Sequence, residues 1–204
     1  MIEVRDENGR EQLDAGASKA FALADHQLAH IYVRENQSID EVRQLLQSLE
    51  GVEHVYDRQE QKRIGLDHER SGELVAISHA DRWFSYYFWL DDERAPDYAK
   101  TVDIHRKPGY DPVELFVNPE IKNPKLTIGR KIIARKLGVR NLLDVISLKE
   151  TPLVKGSHGR PTDNPDDGPL VITSRADLLT ENPATAIEAT DFKELTLAHV
   201  FGRV

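Results

Sequence analysis

Apolar and polar positions along the chain recur with two periods, one of strands and one of helices. Leu28-Ala-His-Ile-Tyr-Val33 is rich in β-branched and aromatic residues and reads as a strand. Beyond it, Ile39, Val42, Leu45, Leu46 and Leu49 recur at helical spacing on one face. Ser38 is the expected N-cap of that helix, Glu41 stands three residues later as in a capping box, and Gly51 supplies the stop. Val52-Glu-His-Val-Tyr56 is a second strand, and Gly72-Glu-Leu-Val-Ala-Ile-Ser78 a further, more buried one. Upstream, Arg5-Asp-Glu-Asn-Gly-Arg10 has the turn residues of a loop or hairpin tip. Strand, helix and strand in this order predict an α/β or α+β layer rather than an all-helical protein.

The character of the chain then changes. An aromatic block, Trp83-Phe-Ser-Tyr-Tyr-Phe-Trp89, precedes prolines at 96, 108, 112, 119 and 124. The proline-rich region predicts an irregular excursion from the sheet. Leu126 to Leu137 has the pattern of a basic amphipathic helix stopped by Gly138. A loop around Lys155-Gly-Ser-His-Gly159 and a polar turn, Pro161 to Pro169, lead to a predicted strand at Leu170-Val-Ile-Thr173. A last helix is expected around Phe192 to Val200.

With 204 residues, 39% of them hydrophobic, the chain can bury one sizeable core, or one core and a small insertion. It has no cysteine, which excludes disulfides, thiolate zinc sites and cysteine nucleophiles and fits a cytoplasmic location. No stretch approaches the roughly 20 apolar residues of a membrane span, and the polar segment Met1 to Asp14 is neither a signal nor a transit peptide. No membrane partner is expected. The net charge of −8 speaks against general nucleic-acid binding. Lys122, Lys125, Arg130, Lys131, Arg135, Lys136 and Arg140 nevertheless fall in one stretch without an acidic residue. That stretch is either a solvated helix face or a patch that meets an anion or an acidic partner surface.

Eight histidines and many carboxylates make a metal site conceivable. His158 is the most informative of them, because its flanking glycines leave room for an ion and permit unusual backbone angles. The plain alternative is a surface glycine turn that happens to hold a histidine. Asp25-His26 also has the look of a metal pair. However, Gln27 stands where a glycine would follow and the pair runs into a strand, so it reads as a polar pair at a strand edge. Asp67-His68 lies in a charged, loop-like stretch and carries a weaker signal. His105-Arg106-Lys107 places donors before Pro108-Gly109, where Arg106 offers a planar fork to phosphate and Lys107 a point charge. The aromatic block reads as core or as a base-stacking surface.

Several of these segments together resemble the bacterial type I phosphodiesterases and nucleotide pyrophosphatases of the alkaline phosphatase superfamily. The resemblance rests on Ala24-Asp-His-Gln-Leu-Ala-His-Ile-Tyr-Val33, Ser71-Gly-Glu-Leu-Val75, the aromatic block, Val102 to Leu115 and the 155–159 loop, in that order. It implies an alkaline-phosphatase-like α/β fold, a mixed sheet with helices, incomplete at the N-terminal side. Residues 1–90 would be the C-terminal portion of the core, 91–150 a cap-like insertion, and 151–204 the core's continuation. It further implies two zinc ions bridged by substrate phosphate, a Thr or Ser nucleophile, and His158 as ligand of one metal. A phosphate-ester or nucleotide-like small molecule is the implied substrate, with Arg106 and Lys107 at its rim. The nucleophile and the other ligands would precede the matching segments, so no catalytic residue is expected within this chain. The expectation is part of a hydrolase, inactive alone and completed by a missing N-terminal half; the alternative is a non-catalytic remnant or interaction module.

Overall fold

Val4–Glu7 (β1) and Arg10–Leu13 (β2) pair antiparallel around Asn8 and Gly9. Both turn residues have positive φ, 55° and 76°, the backbone that a two-residue type I′ hairpin demands. The expected hairpin tip is therefore present. The structure, a computed structural model, describes residues 2–102, 112–179 and 187–202.

Four strands make the main sheet: Ala20–Asp25 (β3), Leu28–Val33 (β4), Val52–Asp57 (β5) and Leu74–Ser78 (β6). Their order is β3-β4-β6-β5, with every neighbouring pair antiparallel. β4 and β5 consequently run parallel to each other on either side of β6, and Ile39–Gln47 (α1) joins them. Along β4 the pattern alternates, with Ala29, Ile31 and Val33 buried, as a strand with one core-facing side requires. β6, between two strands, is buried at every position. The core gathers Ala29, Ile31, Val33, Val55, Leu74 and Ala76, against which Ile39, Val42 and Leu46 of α1 pack.

Two local expectations need correction. Leu45 and Leu49, expected on the same face as the core contacts, are 61% and 47% exposed. Leu45 lies at the edge of the apolar arc, and Leu49 falls beyond the last helical residue, Gln47. Ser38 is the N-cap but makes no side-chain cap bond, because a 3-10 turn over Asn36–Ser38 already leads into the helix.

The reciprocal capping box instead starts a short polar helix, Arg58–Arg63 (α2). Asp57 accepts from the amides of Gln59 and Glu60 at 2.8 and 2.9 Å, and Glu60 accepts from the Asp57 amide at 2.9 Å. Arg43 of α1 donates to both carboxylates, at 2.8 and 2.7 Å. The Glu60 amide foremost, with the Gln59 amide and Arg43, holds the Asp57 carboxyl below its ordinary range against the opposing effect of desolvation. Asp57→Ala is expected to lower stability by about 0.5–2 kcal/mol, the usual range for a lost cap. A carboxyl whose folded pKa is lowered stabilises above its unfolded pKa and loses that effect as pH falls through the folded value. The gap between wild type and variant in urea melts is therefore constant near neutrality and closes below about pH 4.

Much of the aromatic block packs on buried clusters, Trp89 itself being buried. Trp89, Ala95, Ala99 and Leu148 form a second buried cluster with Tyr86, Tyr87 and Phe88 packed on it, and Tyr87 stacks on Trp89 at 4.5 Å. The basic helix spans Pro124–Lys136 (α3) and ends before Gly138, whose φ is 82°. Among its described residues it buries none; Lys131 meets Asp144, while Lys122, Lys125, Arg130, Lys136 and Arg140 are exposed.

The chain divides into two compact units, Met1–Pro161 and Thr162–Val204. In the second, Phe192–Phe201 (α4) is helical as expected, whereas the predicted strand at 170–173 is not formed. Leu170 and Ile172 are 81% and 85% exposed. Apolar residues alone do not make a strand without a neighbour to bond, and no strand is present among this unit's described residues. Thr173 instead accepts from the Arg175 amide and meets His199 Nε2. Among the described residues no helix is long and apolar enough to cross a membrane.

Candidate metal centre

Asp25 closes β3 and pairs with Leu28, which leaves His26 and Gln27 as a two-residue hairpin connection. His26 has a φ of 58°, at the turn position where glycine is usual when only the first central residue is left-handed. For a non-glycine residue such a backbone persists only when its surroundings fix it. They do so here. The Phe84 amide donates to the His26 carbonyl at 2.6 Å and the Ser78 amide to the Gln27 carbonyl at 3.0 Å. The Gln27 side-chain amide donates to the carbonyls of Ala80 and Arg82 at 3.2 and 3.1 Å.

The glycine-flanked loop docks onto this turn. The Gln27 amide donates to the His158 carbonyl at 2.8 Å. Gly159, at φ 109°, presses its backbone on the hairpin so closely that a Cβ would lie 3.0 Å from the Asp25 carbonyl oxygen and 3.1 Å from the Leu28 nitrogen. Position 159 thus requires glycine for both conformation and space. The residues leading into the loop, Thr151–Leu153, form a 3-10 turn. The loop's support is the β3–β4 hairpin.

Docking brings the two histidine rings to a centroid distance of 4.2 Å, edge to face at 65°. His26 Nε2 lies 3.9 Å from Asp25 Oδ1. One ligand atom from each of Asp25, His26 and His158 lies within 4.8 Å of the others. His26 is buried, while Asp25 and His158 are exposed. Burial foremost, and then the neighbouring His158, push the His26 imidazole below its ordinary pKa, opposed by Asp25. Near neutral pH His26 is therefore the neutral imidazole, the form that ligates metals. One carboxylate and two imidazoles from two chain segments are donors of the kinds that divalent transition metals, zinc among them, accept.

The structure thus places His158 beside the very pair that the sequence reads as a strand-edge feature. Asp25-His26 is at a strand edge, and the 158 loop closes over it. Neither spacing nor periodicity connects positions so far apart; the glycine at 159 was the available signal. Asp67-His68 lies elsewhere, and His68 Nδ1 accepts from the Arg70 amide at 3.1 Å in a local turn. His30 is likewise structural, its Nδ1 accepting from the Gly72 amide at 3.2 Å. Arg106 and Lys107 lie outside the described residues.

The sequence model of the type I phosphodiesterase / nucleotide pyrophosphatase family matches residues 1–111, more than half of the 204-residue chain. The chain belongs to this family. The type I phosphodiesterases and nucleotide pyrophosphatases are hydrolases of phosphoric esters, and the matched span includes Asp25 and His26, with His158 beyond it. Among solved structures, the chain is similar to the phosphonoacetate hydrolase from Sinorhizobium meliloti 1021 in complex with phosphonoacetate. The identity is 21%, the TM-score 0.30, and the similarity covers 34% of this chain and 20% of that one. No curated protein matches.

Proposed function

We propose that Asp25, His26 and His158 hold a divalent cation, zinc foremost, in the metal centre of a hydrolase of phosphate-ester or nucleotide-like small molecules. The observation that carries this reading is the backbone bond from Gln27 to His158, which ties both segments of the donor set together. A bound metal ion would polarise a phosphoryl oxygen as a Lewis acid. Asp25 contributes the anionic donor. His26, held in its strained turn, contributes a neutral imidazole of fixed direction, and His158 closes the set from the exposed side. Arg106 and Lys107 are proposed as anion-recognising groups at the substrate rim, and residues 91–150 as a cap-like insertion.

Two zinc ions and a Thr or Ser nucleophile are what resemblance to the superfamily implies. Three donors serve one ion with positions left open, so the further ligands and the nucleophile are proposed to come from a separate segment. The isolated chain is therefore expected to retain zinc through gel filtration while hydrolysing p-nitrophenyl phosphodiesters negligibly, with zinc or manganese added. Asp25→Asn, which keeps the side-chain shape and removes the charge, is expected to abolish that retention. Zinc retained equally by wild type and Asp25→Asn overturns the donor set. Robust turnover that survives repurification and disappears in Asp25→Asn overturns the division of the catalytic groups. A wild type that binds no divalent metal leaves the non-catalytic interaction module as the better reading.

A further inference from the structure

Arg160 follows the glycine on which the His158 loop turns, and its guanidinium meets Glu53 of β5 in a two-pronged ion pair. Arg160 Nε lies 2.6 Å from Glu53 Oε2 and Nη2 lies 3.0 Å from Oε1, across 107 positions of sequence. The Arg160 side chain is only 9% exposed. Parallel donors of this kind fix orientation as well as distance, which a lysine cannot do.

Glu53 owes its place to an irregularity in its strand. Val52 faces Ser78 and His54 faces Ile77, so Glu53 is the extra residue of a β-bulge. A bulge re-aims side chains locally, and bulges are over-represented beside active sites. His158 itself is exposed, with its ring set edge to face on that of His26, so its placement depends on the loop that carries it. Its position comes from the backbone on either side, bonded to Gln27 at one point and leading into the Arg160 fork at the other.

We infer that the Glu53–Arg160 pair is the positioning device of the metal centre, holding the 156–160 loop so that His158 stands over Asp25 and His26. This inference rests on the reading of those three residues as ligands. Glu53 and Arg160 touch no metal; they act through His158, as groups behind a ligand do when they orient it.

The test uses the full chain with Arg160→Gln, Arg160→Lys, Glu53→Gln and the exchanged double variant Glu53→Arg/Arg160→Glu. Amide hydrogen exchange in metal-free protein reads the loop directly, through the Gln27 amide that donates to His158. Both glutamine variants are expected to speed Gln27 exchange while Val55 and Ala76, in the sheet core, keep their protection. Zinc affinity, measured against a competing chelator, is expected to fall about 10–100-fold, the range for groups that orient a ligand. Arg160→Lys is expected to fall between, and the exchanged pair to recover part of both readouts. Unchanged Gln27 exchange in both glutamine variants overturns the positioning role whatever zinc does. Faster exchange with unaltered zinc affinity, where His158→Ala still loses zinc, overturns the link from pair to metal. If His158→Ala itself keeps full affinity, the metal reading fails first and the inference falls with it, while the exchange data still report whether the loop was held.

Discussion

Gly72→Ala is expected to bring the main sheet close to unfolding. A Cβ at this position would lie 2.5 Å from the Ile31 carbonyl oxygen, 2.6 Å from its nitrogen and 2.8 Å from its carbonyl carbon. All three atoms are backbone of β4, and Ile31 is 3% exposed in the core, so no flexible side chain can yield. Gly72 is also gripped from other sides, its amide donating to His30 and its carbonyl accepting from the buried Gln61 amide. Relief requires β4 and the segment entering β6 to separate. We expect a loss above about 4 kcal/mol, the exceptional class of single-substitution effects, against a typical total of about 5–15 kcal/mol. Gly51→Ala is the control, since nothing lies within 4 Å of its Cβ and its φ is not left-handed. Circular dichroism during urea titration reads both variants. A Gly72→Ala protein as stable as the Gly51→Ala control would show that β4 and residue 72 are not in contact.

His158→Ala is expected to separate metal binding from folding. The side chain is exposed, so its removal from metal-free protein is expected to change stability within about 0.5 kcal/mol. Zinc affinity is expected to fall by more than about 100-fold, beyond the effect of disturbing a group behind a ligand. A core histidine would behave in the opposite way, through lost packing and hydrogen bonds. If metal-free His158→Ala loses much of its stability while its folded fraction binds zinc normally, His158 is structural and the proposed centre falls. Calorimetric melts without metal and chelator competition with zinc give the two numbers on one preparation.

The elements with a sustained period were legible from the sequence. β4, β5 and β6 carry compact apolar runs, α1 has its apolar arc, and Asn8-Gly9 marks the first hairpin. The elements that escaped did so for identifiable reasons. β3 ends at Asp25, and the turn that follows, His26-Gln27, has neither Gly nor Asn to announce it. The left-handed angle at His26 is maintained by bonds donated by the Ser78 and Phe84 amides and one accepted by the His158 carbonyl, none of them local. α2 has no apolar stripe to reveal a period, and its only signal is the Asp57-x-x-Glu60 box. The reverse error falls at 170–173, where local propensity predicts a strand but no strand is present among that unit's described residues to pair with it.

The candidate centre was half legible. His158 stood out because glycine on both sides is costly unless the backbone has a special task. The structure shows one such task at Gly159, which leaves room for the Asp25 carbonyl. Asp25 and His26 were visible as a pair, but their proximity to His158 is a product of tertiary docking. The Glu53–Arg160 pair was invisible for the same reason, since its members stand 107 positions apart and one occupies a bulge.

The most direct test of the account is the zinc coordination shell of the full chain, read by X-ray absorption on protein freed of excess metal. We expect two imidazole nitrogens at about 2.0–2.1 Å and one carboxylate oxygen at about 2.0–2.2 Å, with water-derived oxygen completing the shell. In His158→Ala the spectrum is expected to lose one imidazole from whatever zinc remains. A shell without imidazole, or one unchanged by His158→Ala, would contradict the assignment of Asp25, His26 and His158 as the metal ligands.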